Sequence, residues 1–389
     1  MNYNFDEIIE RRNTDSLKFD FATQQRRAAD ILPLWVADSD FRTPPAVIEA
    51  LAEKVRHGIF GYSDTREDYT EVLQEWFSRH FNWQINPEWL VKTPGVVFAI
   101  CTAIHALTKE GDAVIIQQPV YYPFSETVKI NQRKLVINQL VYKHNKYSIN
   151  FDDFEDKIIQ NKVKLFILCS PHNPVGRVWT ESELLRLGDI CLKHGVTVIA
   201  DEIHADFIYQ GFRHFVFANL KPEYADITIT CTAPTKTFNL AGLQISNIFI
   251  ANINLRNKFN QALAQSGYHQ PNLMGITACQ AAYRGGEQWL DALIEYLTAN
   301  IAFLREFLQQ RLPQIKLIEP EGTYLVWLNF HELGLDDQQL EDLIEKEAGL
   351  WLDSGLIFGA GGQGFQRINI ACPRAILEKA LMQLEQAIN

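Results

Sequence analysis

The chain has 389 residues, 47% hydrophobic and 21% charged, with a formal net charge of -11. That length exceeds one ordinary core and predicts two domains sharing an interface, while the acidic balance makes nucleic acid and anionic membranes poor partners because both would repel it. No stretch reaches the roughly 18 uninterrupted apolar residues of a membrane span, the N-terminus MNYNFDEIIERRN has no apolar leader run, and the six cysteines (Cys101, Cys169, Cys191, Cys231, Cys279, Cys372) form no CxxC pair, which predicts reduced core thiols in the cytoplasm and no zinc site or disulfide frame.

From about residue 90 to 250 the pattern alternates strand and helix. Gly95 to Leu107 is an apolar helix-like stretch and DAVIIQQP (112–119) a strand. VKLFILC (Val163 to Cys169) and VTVIA (Val196 to Ala200) are short, nearly continuous apolar runs, the signature of strands buried on both faces of a parallel sheet. Between them, TESELLRLGDICLKHG reads as a helix opened by a Thr180 and Glu183 capping box and closed by Gly195. ITITCT (Ile227 to Thr232) is a third buried strand, completing a βαβ series. Gly286 to Leu312 is a long amphipathic stretch suited to a helix that bridges domains. Strand-like segments follow near Tyr324 to Asn329 and Gln366 to Ala371, and a last helix sets Leu377, Ala380, Leu381, Leu384 and Ile388 on one face. The domain change is placed near residue 285, and there are no internal repeats.

Four residues stand out, in this order: Asn173 in SPHNPVG, Asp201 in VIADEIH, Lys236 in APTKTFNLAG and Arg367 in QRINIACP. Each alone reads most simply as a surface or core polar group. Together they are what pyridoxal 5'-phosphate requires: an amine to hold its aldehyde, a carboxylate to keep the pyridine nitrogen protonated, an amide donor to the phenolic oxygen, and a forked guanidinium for an amino acid's carboxylate. Asn173, Asp201 and Lys236 each follow the C-terminal end of a predicted strand, where open α/β sheets bind ligands.

The chain resembles the fold-type I pyridoxal phosphate enzymes of the aminotransferase class I/II group, and within them the MalY/PatB-type carbon-sulfur lyases, the cystathionine β-lyases. The resemblance covers the whole length and rests on RRNTDSLKFD (Arg11 to Asp20), LPLWVADSDF (Leu32 to Phe41) and DEIH after Asp201. The usual forms, RRGTxSxKWD and LPMWVADMDF, differ here at Asn13, Phe19, Leu34 and Ser39. The resemblance implies an α/β fold: a large domain with a mostly parallel central sheet (residues 49–285) and a smaller α/β domain formed by residues 286–389 with the N-terminal segment 1–48.

It further implies that Lys236 carries the cofactor and moves the Cα proton, that Asp201 faces the pyridine nitrogen, and that Asn173 donates to the phenolic oxygen. Tyr121 is the candidate for stacking on the ring, ahead of Tyr122. Backbone N–H groups of Val96, Val97 and Phe98 after Gly95 would cradle the phosphate, with Thr235 adding a hydroxyl and Tyr62 reaching across from a partner subunit of a homodimer. Gln244 stands where many aminotransferases carry an arginine. Arg367 would hold the substrate carboxylate, with Trp35, Ser39, Tyr324 and Trp327 as candidates for the side-chain pocket. His204 reads equally as a core histidine or as a residue that tunes Asp201 or lines the site. The implied activity is α,β-elimination from L-cystathionine and cysteine S-conjugates, giving a thiol, pyruvate and ammonia. On the residues alone an aminotransferase stays open, as does an added regulatory protein-binding role.

Overall fold

A computed structural model describes residues 3–389. Its centre is a seven-stranded sheet in the order Leu90–Thr93, Ser246–Phe249, Thr228–Thr232, Thr197–Asp201, Leu165–Cys169, Ala113–Gln118, Lys134–Gln139. Five strands run parallel, and the edge pair Leu90–Thr93 and Ser246–Phe249 joins antiparallel. The continuous apolar runs have a simple cause. Along Leu165–Cys169, Phe166 and Leu168 enter one core while Leu165, Ile167 and Cys169 enter another, and Ile199 alternates with Val198 and Ala200 in the same way. With helices on both faces, both side-chain sets of a strand are buried, so apolar residues dominate them.

Helix boundaries follow local chemistry. Glu181–His194 is opened by a capping box in which the Thr180 hydroxyl accepts from the Glu183 amide and the Glu183 carboxylate accepts from the Thr180 amide; Gly195 ends it in the left-handed region at φ 63°. Val96–Leu107 is packed against the sheet by Ala99, Ile100, Ala103 and Ile104.

A second, antiparallel sheet contains Lys316–Ile318, Leu325–Asn329, Phe365–Asn369 and Asp353–Ser354. The helix Glu287–Arg311 leads into it, and Arg374–Ile388 closes the chain with Leu377, Ala380, Leu381 and Leu384 buried. Near the N-terminus, Leu32–Pro33 pairs in parallel with Leu350–Trp351. Helices Pro45–His57 and Glu67–Phe81, absent from the sequence reading, complete the N-terminal third. Among the described residues no helix is long and apolar enough to cross a membrane.

Candidate active site

The sheet brings three chemical residues to one edge by register. Cys169, Asp201 and Cys231 lie side by side on adjacent strands, so Asn173, four residues past Cys169, and Lys236, five past Cys231, flank Asp201. All three line one cavity of about 200 Å³ with Gly95, Val96, Val97, Tyr121, His204 and Thr235. Ala37, Pro94, Cys169, Ile203 and Ala241 complete its wall; none of these five was singled out in the sequence, because their contribution is backbone or plain apolar surface.

The two ionisable groups at the centre are each displaced toward neutrality. Burial pushes the Asp201 carboxyl up to about 7, opposed by the Ile203 amide, which donates to it at 3.1 Å, and by the Lys236 cation. Burial likewise pushes the Lys236 amine down to about 8. Its Nζ donates to the Ala37 carbonyl at 2.7 Å, an oxygen that also accepts from the Tyr324 hydroxyl at 3.0 Å. His204, pushed down to about 3 by burial, stays neutral, with its ring against the Tyr324 ring at 5.8 Å.

Asn173 is oriented by Arg367. Its Oδ1 accepts from the Arg367 guanidinium at 3.0 Å, and because that group can only donate, the amide must present Nδ2 elsewhere, as a free donor. Asn173 also fixes Tyr121, whose backbone amide donates to the Asn173 carbonyl at 3.0 Å. Arg367 is almost wholly buried and ion-pairs with Asp353.

At the other end of the cavity the helix Val96–Leu107 begins without any side-chain cap, which leaves its first N–H groups to an outside acceptor. Gly95 is extended there (φ -177°), and a Cβ built on it would meet nothing within 4 Å. Its small size therefore keeps space open beside the helix start. Phe98 is not part of the lining; its ring packs near Tyr268 at 5.8 Å. Gln244 is exposed in the left-handed region (φ 50°) and supplies no charge to this end.

These features fit pyridoxal phosphate. Asp201 is a buried carboxylate without a paired cation, Lys236 is a desolvated amine with only a carbonyl as partner, Asn173 offers a spare donor on the other side of Asp201, and an uncapped helix N-terminus stands ready for an anion.

The remaining candidates stand further out. Trp35 stacks on Trp351 at 4.4 Å and contributes its backbone carbonyl, which accepts from Arg367 at 2.8 Å. Tyr324 is buried behind Ala37. Trp327 is the cross-strand neighbour of Arg367, with its ring stacked on Phe365 at 5.1 Å. Ser39 is buried, and its backbone is clasped by Asn239. Tyr62 is 98% exposed, in a loop with exposed Ile59 and Phe60.

The paired N-terminal motifs meet in an ion cluster. Lys18, fully buried, donates to both Asp40 oxygens at 2.9 Å, and Arg11 bonds Asp38 at 2.6 Å and Asp40 at 2.7 Å. Asp20 ties the turn by accepting from the amides of Asn13, Thr14 and Ser16. The cluster pins the segment that carries the Ala37 carbonyl, with Asn369 Nδ2 donating to the Val36 and Asp38 carbonyls at 2.6 Å. Asp40→Asn leaves the Lys18 ammonium buried with only Asp38, 3.8 Å away, and is expected to destabilise the fold by about 3 kcal/mol. A urea midpoint that falls with an unchanged slope would register it.

Asp201 also makes stability depend on pH in the cofactor-free protein. A carboxyl raised from 3.8 to about 7 on folding contributes stability below pH 4 that is lost as pH rises through 7. Melting temperature is therefore expected to fall across that window, and Asp201→Asn to remove this component of the slope.

The model of the family "Aminotransferase class I and II" matches residues 29–384. The chain belongs to that family. It is 43% identical over 386 residues to the cystathionine beta-lyase PatB of Bacillus subtilis (strain 168), covering 99% of this chain and 100% of that protein. Among solved structures it is similar to cystalysin from Treponema denticola, which contains a pyridoxal 5'-phosphate cofactor (TM-score 0.96, 38% identity, 100% of this chain and 99% of the other). It is also similar to the PLP-bound C-S lyase from Staphylococcus hominis (TM-score 0.94, 35% identity, 100% and 98%). The fold expected from the resemblance, fold-type I with a mostly parallel central sheet, is the fold observed.

Proposed function

We propose that this chain is a pyridoxal phosphate-dependent carbon-sulfur β-lyase that cleaves L-cystathionine and related cysteine S-conjugates to a thiol, pyruvate and ammonia. The observation that carries the reading is the convergence of Lys236, Asp201 and Asn173 on one cavity, with Arg367 bonded to the far side of Asn173. Full-length similarity to a cystathionine beta-lyase and to C-S lyases supports it.

When bound, the cofactor supplies an electron sink for negative charge at the amino acid's Cα. The chain's residues hold that group and move protons around it. Lys236 would hold the aldehyde and, as a free amine, would take the Cα proton; an amine at about 8 is neutral often enough near neutral pH to act as a base and remains basic enough to be effective. Asp201 would hold a proton on the ring nitrogen. Asn173 Nδ2 would donate to the phenolic oxygen, Tyr121 would cover the ring, and neutral His204 would line the site without adding charge. The N–H groups of Val96 and Val97, with Phe98 completing the turn and the Thr235 hydroxyl, would take the phosphate. Arg367 receives the substrate carboxylate, and Tyr324 and Trp35 shape the wall beside it. With the amino acid so held, a thiolate can leave Cβ once the Cα proton is gone.

The same reading makes the protein a cytoplasmic homodimer in which Tyr62, exposed beside Ile59 and Phe60, reaches the neighbouring phosphate. It divides the chain into a large domain at 49–285 and a small domain of 286–389 joined by 1–48, supported by the pairing of Leu32–Pro33 with Leu350–Trp351. The experiment that tests the function is turnover of a cysteine S-conjugate with no keto acid present. Sustained thiol release is expected; an enzyme that stops after one turnover per site and resumes on adding a keto acid is an aminotransferase.

A further inference from the structure

Asp353 and Arg367 face each other as a cross-strand pair, so their side chains share one face of the small sheet. Arg367 Nη2 donates to Asp353 Oδ2 and, at 2.8 Å, to the Trp35 carbonyl, while Nη1 donates to Asn173 and Nε has no partner. A planar guanidinium grips a carboxylate with two parallel bonds along its end or along its Nε side. Both edges use an Nη2 hydrogen, and both Nη2 hydrogens are engaged. An incoming carboxylate gains a two-pronged seat only by displacing one of these acceptors. The Trp35 carbonyl is main chain, in a segment held by the Leu34 amide on Trp351 and by Asn369 on its Val36 and Asp38 carbonyls. The Asp353 carboxylate is the movable one, yet its backbone is fixed in the ladder, so it can only rotate and stay nearby.

We propose that Asp353 is a built-in competitor for the carboxylate seat on Arg367 and sets how weakly the site holds its amino-acid substrate. The inference rests on the reading of Arg367 as the substrate-carboxylate clamp. Substrate binding places a second carboxylate beside one buried cation, with Glu341 as a further negative neighbour through Gln366, and like charges at such distances weaken binding. Burial already disfavours the charged form of Asp353, in keeping with a group that gives up its partner readily.

The test compares Asp353→Asn and Asp353→Ser with the wild-type holoenzyme, using L-cystathionine as substrate and propionate as an inert carboxylate probe. Both variants keep an acceptor for Nη2 and remove the charge. KM is expected to fall by about tenfold and propionate inhibition to tighten by a similar factor, with kcat changed by less than about twofold. Arg367→Ala, run in parallel, is expected to raise KM by about a hundredfold and to abolish propionate inhibition. If the Asp353 variants keep or raise KM and propionate inhibition is not tightened while Arg367→Ala behaves as stated, Asp353 is a structural anchor and the inference is overturned. If Arg367→Ala leaves KM and propionate inhibition unchanged, the reading of Arg367 beneath it is wrong.

Discussion

Lys236→Ala is expected to leave a folded protein that releases pyruvate from L-cystathionine about four orders of magnitude more slowly than the wild type. On the proposed function the amine both attaches the cofactor and transfers the Cα proton, and no other base in the cavity replaces it. His204, which lines the same cavity, is pushed down to about 3 and is too weak a base, while the proposed function assigns Asp201 to the ring nitrogen. Stability should not fall with activity. An amine displaced from 10.5 to about 8 by burial opposes folding near neutral pH, so removing it is expected to keep or raise the melting temperature. Small primary amines added to the variant are expected to restore part of the proton transfer, a result that a merely misfolded variant would not give. Loss of activity with a collapsed melting temperature and no such rescue would count against the assignment.

Asp201→Asn is expected to lower kcat by about a thousandfold while leaving KM within a few-fold. The amide is nearly the same size and can still accept from the Ile203 amide, so packing is preserved. It has no negative charge to hold a proton on the ring nitrogen, so the cost falls on the transition state and appears in kcat. In steady-state kinetics on the holoenzyme, a variant with near wild-type kcat would show that the ring nitrogen's protonation does not depend on this carboxylate.

The parts of the fold legible in the sequence are those where burial leaves a residue no alternative. Leu165–Cys169, Thr197–Asp201 and Thr228–Thr232 are covered on both faces, so apart from Asp201 at the site they carry only apolar, cysteine and threonine residues. Asn173, Asp201 and Lys236 were readable because each follows such a strand. The edge strand Leu90–Thr93 and its neighbour Ser246–Phe249 carry polar residues in four-residue runs and give no comparable pattern. Helix Pro45–His57 fully buries only Val47, which leaves too weak a stripe to detect. The Ala37 carbonyl, acceptor for both Lys236 and Tyr324, is a main-chain atom that no side chain announces. Asp353 lies 14 residues before Arg367, and only the pairing of two strands sets them face to face. The resemblance of the N-terminal motifs to a lyase branch had a physical basis that the sequence could not display: Arg11 and Lys18 close on Asp38 and Asp40 to fix the wall of the site.

Mixing the purified holoenzyme with L-cystathionine, without keto acid, and following pyruvate and free homocysteine in the same sample distinguishes β-elimination from transamination. Both are expected to accumulate at equal rates through many turnovers. Homocysteine absent, or pyruvate absent while the cofactor is converted once to its amine form, would contradict β-elimination.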